Sequence, residues 1–177
     1  MNTFLRLTSL AATVAALALT ATPAQAAGQV TATPQPVAKV KILKALTLTK
    51  NADLDFGTVV TGAGVWAGEV VEIVSDGNVT CGGGVNLVCD DTSATTAKFN
   101  VSGSNNAVVN INVPPSITIS SGANNLTVTT VGAPTSLTLT NSGAPGDDFS
   151  FGGQITLDST TPDGYYEGDF DVTAEYP

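Results

Sequence analysis

Residues 164–177 read GYYEGDFDVTAEYP, and this stretch decides how the rest of the chain is interpreted. Every second residue from Gly164 is small or apolar, and the residues between them are almost all polar. Alternation with a period of two predicts a β-strand with one buried face and one solvated face. Chain ends fray unless they are held, so a terminal strand this regular is expected to have partners on its edges. A strand from another chain is one way to supply such a partner.

The remaining sequence also predicts an all-β protein. It is rich in Thr, Val, Gly, Ser and Asn, and its apolar runs are short and separated by turn residues. Asp76-Gly77 marks a tight hairpin. We therefore expect an immunoglobulin-like β-sandwich. Besides residues 164–177, the predicted strands span residues 38–49, 54–60, 68–74, 96–101, 108–113, 117–120, 126–131, 136–140 and 149–157.

The first 37 residues are expected to lie outside this sandwich. Residues 1–26 have a basic start, an apolar stretch and the small-residue site Ala24-Gln25-Ala26, as in a secretory signal peptide. A membrane anchor is the weaker interpretation, because the apolar stretch is diluted by Thr and Ser. Residues 27–37 contain Pro34 and Pro36 and are interpreted as an extended arm. The sandwich is expected to span residues 38–177, and export through the periplasm follows from the signal peptide.

The charge of the chain argues against some partners. Loss of Arg6 with the signal peptide leaves five lysines against fifteen acidic residues, a net charge of about −10. Such a surface repels nucleic acid and anionic membranes, so neither nucleic-acid binding nor membrane insertion is expected. Four of the five lysines lie within residues 39–50, whereas the C-terminal stretch is acidic. This difference could help head-to-tail association, although solvated surface charge explains it equally well.

Cys81 and Cys89 are the only cysteines, and an exported pair predicts a disulfide. A loop of this length contributes roughly 2–3 kcal/mol in the chain-entropy model. A metal site is disfavoured because the chain has no His. A redox role usually has closer spacing, as in C-x-x-C.

The sequence offers little that resembles a catalytic site. It has no His and, without its leader, no Arg. Asp147-Asp148 and the pair Asp169 and Asp171 could in principle hydrolyse glycosides, but they fall in turns or on a solvated strand face. We therefore expect no enzyme, no metal and no cofactor. Trp66 is interpreted either as a sugar-stacking aromatic or, more commonly for such a residue, as a core side chain.

Calcium is the other metal that acidic residues of this chain could bind. Acidic and Asn residues around residues 51–57, with Asp158 and Asp163, suggest possible ligands. Calcium requires six to eight oxygens, and the EF-hand spacing is not met. Calcium is therefore not expected.

The C-terminal residues carry a resemblance to a known family. Tyr176 one residue from the end, Gly164 and the alternation between them resemble the C-terminal signature of chaperone–usher fimbrial subunits. Residues 54–57 (LDFG) and 164–173 also resemble a family of secreted bacterial proteins of unassigned function, grouped with common-pilus-type major subunits. The resemblance covers residues 37–177.

The resemblance implies a sandwich that lacks its final strand. In such subunits a periplasmic chaperone first fills the open groove, an outer-membrane usher assembles the fibre, and the N-terminal arm of the next copy replaces the chaperone. It further implies a cell-surface or extracellular fibre of head-to-tail copies. The implied acceptor residues are Gly164, Tyr166, Gly168, Phe170, Val172 and Tyr176. The two glycines are expected to leave room for a bulky donor side chain.

The implied donor lies in residues 28–37, with Val30 and Ala32 facing the groove. Pro34 and Pro36 lack the N–H of a central strand and favour a shorter donor, residues 28–33. The alternative function is a complete, monomeric secreted sandwich that binds carbohydrate or coats the cell. A hydrolase is a third interpretation and would require a pocket with convergent carboxylates.

Overall fold

The structure is a computed structural model that describes residues 28–83 and 85–177. The predicted signal peptide lies outside these residues. The described part contains strands and no helix, which confirms the all-β prediction. No helix in this part is long and apolar enough to cross a membrane. The strands are β1 (Thr47–Ala52), β2 (Thr58–Thr61), β3 (Glu69–Ile73), β4 (Val79–Cys81), β5 (Leu87–Asp90), β6 (Ala97–Ser102), β7 (Val108–Asn112), β8 (Ser116–Ser121), β9 (Asn124–Val131), β10 (Ser136–Thr138), β11 (Asp147–Leu157) and β12 (Thr173–Glu175).

All the strand pairs are antiparallel, and β11 is their common element. Its first half, residues 147–151, pairs with β6. Its second half pairs with β3 and, over residues 152–154, with β9. The largest sheet runs β1-β6-β11-β3-β4 and is extended through β9 and β8, while β10-β7-β12 and β2-β5 form two smaller sheets.

Two clusters of buried apolar side chains lie between the sheets and give the fold its sandwich-like character. The first core cluster contains Phe99, Val101, Val109, Leu139 and Phe151, among others. The second core cluster contains Val71, Leu87, Ile117, Val128, Ile155 and Leu157. Both clusters draw on alternate residues of paired strands, as expected for strands with one buried face.

The predicted hairpin at Asp76-Gly77 is present between β3 and β4. Gly77 has a φ of +93°, which glycine adopts without steric cost. The Asp76 carboxylate accepts hydrogen bonds from the backbone N–H and the side-chain amide of Asn78. The turn is therefore fixed by the residues that predicted it.

The first predicted strand is wrong over most of its length. Strand β1 starts at Thr47, and residues 28–46 belong to no strand. Residues 28–45 are exposed throughout, including Val40 at 83% and Ile42 at 84%. The alternation of apolar and basic residues is present there, but no described strand pairs with it. The exposed N-terminal segment is accordingly longer than predicted.

The final predicted strand is interrupted. Only β12 is paired as a strand, with β7, and Glu167 forms an isolated bridge with Ser120 of β8. No described strand pairs with residues 168–172, which cross from β8 to β7. The alternation nevertheless holds: Tyr166, Phe170, Val172, Ala174 and Tyr176 are half-buried, and the polar residues between them are exposed. The alternation correctly predicted which of these side chains are half-buried. Its prediction of one continuous paired strand over residues 164–177 is wrong, because only β12 is paired as a strand.

Candidate strand-acceptor groove

A groove lies between β1 and residues 164–176, which we call the acceptor segment. On one side, β1 pairs with β6, and its other edge has no partner among the described strands. On the opposite side, residues 168–172 likewise have none. Unpaired strand edges present backbone N–H and C=O groups that can pair with an added strand.

The groove consists of two openings that meet at Phe170. The first has a volume of about 320 Å³ and is lined by Leu48, Phe99, Phe170 and Val172 together with polar residues. The second has a volume of about 640 Å³ and lies against the second core cluster, with Ile117, Val128 and Leu157 in its wall. Lys50, Asp53, Gly168, Asp169 and Phe170 line both openings, so the two form one groove.

Aromatic rings form the base of the first opening. Phe99 stacks on Phe149 with ring centroids 5.4 Å apart and on Phe151 at 5.8 Å. Phe170 meets Phe151 edge to face at 6.0 Å. Phe99 and Phe151 come from the paired strands β6 and β11, which fix the position of the stack.

Both walls of the groove carry apolar side chains that are covered on one side only. Leu48, Phe170 and Val172 line the first opening, pack against the first core cluster and remain half-buried. A fully buried side chain of this size gains roughly 1.5–3 kcal/mol over an exposed one. The groove thus leaves part of that gain available to a molecule that covers it.

Tyr176, near the end of the acceptor segment, is held through its hydroxyl. The hydroxyl donates to the backbone oxygen of Lys44 at 2.9 Å and accepts from the backbone N–H of Ser104 at 2.9 Å. The backbone N–H of Lys44 donates in turn to Ser104 Oγ at 2.6 Å. These bonds tie the start of the domain to its last aromatic residue.

The two glycines on the acceptor segment have a different role from the one predicted. A Cβ on Gly168 would collide with the backbone oxygen of Thr118, and one on Gly164 would collide with Ser121 Oγ. Both positions therefore face β8, and at Gly168 the contact is with backbone, so the close approach of β8 requires the absence of a side chain there. The expectation that they leave room for a donor side chain is wrong, although both residues line the groove.

The rim of the groove has an unequal charge distribution. Lys50 of β1 forms an ion pair with Asp53 at 2.5 Å, which leaves little net charge on that side. The opposite rim is acidic, because the exposed residues of the acceptor segment include Glu167, Asp169, Asp171 and Glu175. An incoming strand would meet this acidic row on its solvated face.

The predicted disulfide and Trp66 are not among the residues that line the groove. The predicted disulfide between Cys81 and Cys89 is present and joins β4 to β5. Trp66 is half-buried against the second core cluster and donates to the backbone oxygen of Gly62, which favours the core interpretation. Val30 and Ala32, the predicted donor residues, are exposed and lie in no strand.

Of the carboxylates considered for hydrolysis, Asp147 and Asp148 have local partners, whereas Asp169 and Asp171 are exposed and line the groove. Asp147 accepts from the backbone N–H of Thr140, and Asp148 accepts from the Asn100 amide. The hydroxyl and backbone N–H of Thr160 hold the pKa of Asp158 below the usual aspartate range. The described residues contain no group of three or more His, Cys, Asp or Glu side chains placed to hold a metal.

Sequence reasoning did not identify the residues of the facing wall. Leu48 falls within the first predicted strand, but nothing in the sequence places it opposite Phe170. Phe99 falls within the predicted strand of residues 96–101, with no indication that it lines a groove. Their apolar character was visible, whereas the pairing that brings β1 and β6 to the groove is non-local.

Comparison with known proteins gives one family match. The family that matches residues 46–176 is described as a domain of unknown function (DUF4402). No curated protein and no solved structure matches the chain. The matched region begins at Leu46, the first half-buried residue after the exposed segment.

Proposed function

We propose that this chain, which belongs to the DUF4402 family, is a structural subunit of a secreted cell-surface fibre assembled by strand donation between copies. The observation that carries the proposal is the groove with an apolar base between the edge of β1 and residues 168–172, neither of which has a partner among the described strands. A donated strand would satisfy backbone groups on both edges and cover apolar side chains at the same time. The resemblance of the C-terminal residues to fimbrial subunits points the same way.

The donor is the exposed N-terminal segment of the next copy. It carries apolar side chains without cover in the described structure, among them Val30 and Ile42. Donation from each copy to the next is a heterologous contact, which generates an open polymer. On this proposal a periplasmic chaperone and an outer-membrane usher handle the subunit before the arm replaces the chaperone.

The proposal assigns no catalytic role to the chain. Its sequence lacks His, the usual general base near neutral pH. The carboxylates with hydrogen-bonded neighbours, Asp147 and Asp148, are engaged by turn and strand groups. A fibre subunit requires only cohesion between copies, which the groove can supply.

A strand-complemented variant tests the proposal. Residues 28–42 are deleted and then appended after Pro177 through a short Gly/Ser linker. The deleted form leaves the groove uncovered and should be marginally stable and prone to associate. The complemented form should be a monomer with a melting temperature at least several degrees higher, since covering two or three large side chains contributes several kcal/mol.

Two matched controls define the outcome. Appending the same residues in a scrambled order that breaks the alternation of apolar and polar side chains should give no stabilisation. Phe170→Glu should remove most of the gain in the complemented form, because a carboxylate would replace a covered ring. A deleted form that is already a stable monomer, with a melting temperature unchanged by the appended strand, would contradict strand donation. That result would favour the complete, monomeric sandwich.

A further inference from the structure

We propose that the peptide link between Asp163 and Gly164 is a modification site, at which the aspartate converts spontaneously to isoaspartate in the folded protein. The chain contains a second Asp-Gly link, Asp76-Gly77, which the fold protects from the same reaction. This inference goes beyond the proposed function, because it concerns the covalent stability of the chain whether or not copies assemble.

The conversion requires only the two residues and water. The backbone nitrogen of Gly164 attacks Cγ of the protonated Asp163 carboxyl group, a new N–Cγ bond forms, and the amide hydrogen and the carboxyl hydroxyl leave as water. The product is a five-membered succinimide ring. Water then opens the ring at either carbonyl group, and opening at the main-chain carbonyl leaves Gly164 joined through the side chain of residue 163. The chain regains its original mass and contains one additional backbone carbon.

The local structure leaves both reacting groups of the Asp163-Gly164 link available. Residues 161–163 belong to no strand, and Asp163 and Gly164 are both exposed. Within the described part of the chain, the Asp163 carboxylate accepts no hydrogen bond and the Gly164 N–H donates none. Glycine also has no Cβ that would hinder the approach of its nitrogen to the carboxyl carbon. The attack therefore breaks no hydrogen bond of the described structure.

The hairpin between β3 and β4 holds both reacting groups of the Asp76-Gly77 link. The backbone N–H of Gly77 donates to the backbone oxygen of Val74 at 2.9 Å. The Asp76 carboxylate accepts from the backbone N–H of Asn78 at 3.1 Å and from its side-chain amide at 2.8 Å. Attack would require these bonds to open together, and each of them stabilises the turn. We therefore expect conversion at residue 76 to be at least about tenfold slower than at residue 163.

Asp158 shows that location in the loop after β11 is not enough for the reaction. Its carboxylate accepts from the backbone N–H of Thr160 at 2.8 Å and from the Thr160 hydroxyl at 2.7 Å. The N–H of the next residue, Ser159, donates to the backbone oxygen of Trp66 at 3.4 Å. The reacting groups at Asp158 are thus engaged in the same way as those at Asp76, and Asp163 differs from both.

The additional backbone carbon would fall at the start of the acceptor segment. The Tyr166 hydroxyl donates to the backbone oxygen of Pro162 at 2.9 Å, a bond that spans the Asp163-Gly164 link. Glu167 follows and pairs with Ser120 of β8 through two backbone hydrogen bonds. A longer chain between Pro162 and Tyr166 no longer fits this spacing, so the urea midpoint should fall as isoaspartate accumulates. A midpoint that stays constant during conversion would overturn this structural consequence.

Ageing of the folded protein tests the modification site. The protein lacking residues 1–26, with its native disulfide intact, is incubated near neutral pH and sampled over weeks. After reduction, chymotrypsin releases residues 158–165 and residues 67–87, which contain the two Asp-Gly links. Peptides with isoaspartate keep their mass but elute separately, and electron-transfer fragmentation identifies the converted residue. We expect isoaspartate at residue 163, at a rate at least about tenfold higher than at residue 76.

Two controls separate the effect of the fold from that of the sequence. In guanidinium chloride with the disulfide reduced, the hairpin bonds are lost, so residues 76 and 163 should convert at similar rates. Asp163→Glu lengthens the side chain by one CH₂ group, so ring closure would give a six-membered ring, which forms far more slowly. This variant should accumulate no isomer at residue 163, and its urea midpoint should stay constant during ageing.

The outcomes decide the inference without reference to assembly. Equal conversion of residues 76 and 163 in the folded protein would overturn it, because the hydrogen bonds of the hairpin would then give no protection. An unconverted residue 163 in the folded protein, under conditions in which the unfolded chain converts, would overturn it as well. The proposed function is tested separately by the stability of the strand-complemented form.

Discussion

The hydroxyl of Tyr176 connects parts of the chain that are far apart in sequence. It bonds to Lys44 and Ser104, which precede it by 132 and 72 residues. The ring packs against the first core cluster, so the residue serves both packing and hydrogen bonding. Tyr176 thus ties the residue that follows β12 to the segment that precedes β1 and to the loop after β6.

Tyr176→Phe should destabilise the fold by about 1–3 kcal/mol, because the backbone N–H of Ser104 loses its acceptor while the ring is retained. Urea unfolding of the protein lacking residues 1–26 measures the change. Tyr165→Phe is the matched control, since Tyr165 is 80% exposed, and its effect should stay within about 0.5 kcal/mol. Equal effects of the two substitutions would show that the hydroxyl bonds of Tyr176 do not hold the domain.

At the scale of elements, β11 depends on a close approach at one residue. Its pairing changes at residues 151–152, from β6 to β3 and β9. Gly152 lies at this change, and a Cβ there would overlap the backbone of Ile73 at the end of β3. The absence of a side chain lets one strand serve both core clusters.

Gly152→Ala should therefore cost more than about 2 kcal/mol, because a buried backbone contact cannot relax as the tip of a flexible side chain can. Gly83→Ala is the control, since a Cβ there meets no atom within 4 Å. Denaturant midpoints of the two variants give the comparison. A Gly152→Ala protein as stable as the control would mean that β3 and β11 separate without cost.

The elements also show which features local sequence determines. Alternation located β3, β6 and β7 and the facing of Phe170 and Val172, because a half-buried strand imposes its period on its own residues. It did not reveal the short strands β4 and β5, which contain the two cysteines and flank a glycine run. Alternation also predicted a strand over residues 38–46, which lie in no strand. The same alternation fits a strand that pairs within the domain and a strand that pairs with another chain.

Groove residues required non-local information for the same reason. Leu48, Phe99 and Phe170 come together through the pairing of β1 with β6 and the packing of Phe170 on Phe151. Both contacts join residues far apart in the sequence, so no local pattern predicts them. The C-terminal half of the site was predictable from its own pattern, whereas the facing wall was not.

Over the whole molecule, the groove opens onto both core clusters. Leu54 and Phe170 pack against the first and the second cluster, and both residues line the larger opening. A strand in the groove would therefore stabilise the two halves of the domain together. The domain without it should open locally along the groove at a lower free energy than the rest of the fold.

Amide hydrogen exchange tests this distribution of stability. In the form that lacks residues 28–42, the amides of residues 168–172 should exchange quickly, because no described strand pairs with them. In the strand-complemented form a ladder should slow them at least about tenfold, equivalent to about 1.4 kcal/mol of local stabilisation. The second half of β11 is paired with β3 and in part with β9, so its amides should be protected in both forms.

The amides in the second half of β11 serve as an internal reference, which separates local protection by the added strand from stabilisation of the whole domain. Slower exchange confined to residues 168–172 and the outer edge of β1 would place the added strand in the groove. Slower exchange spread evenly over β11 as well would indicate global stabilisation by the linker. Unchanged exchange at residues 168–172 would show that the two edges do not receive a strand, because a strand paired there must withdraw those amides from water.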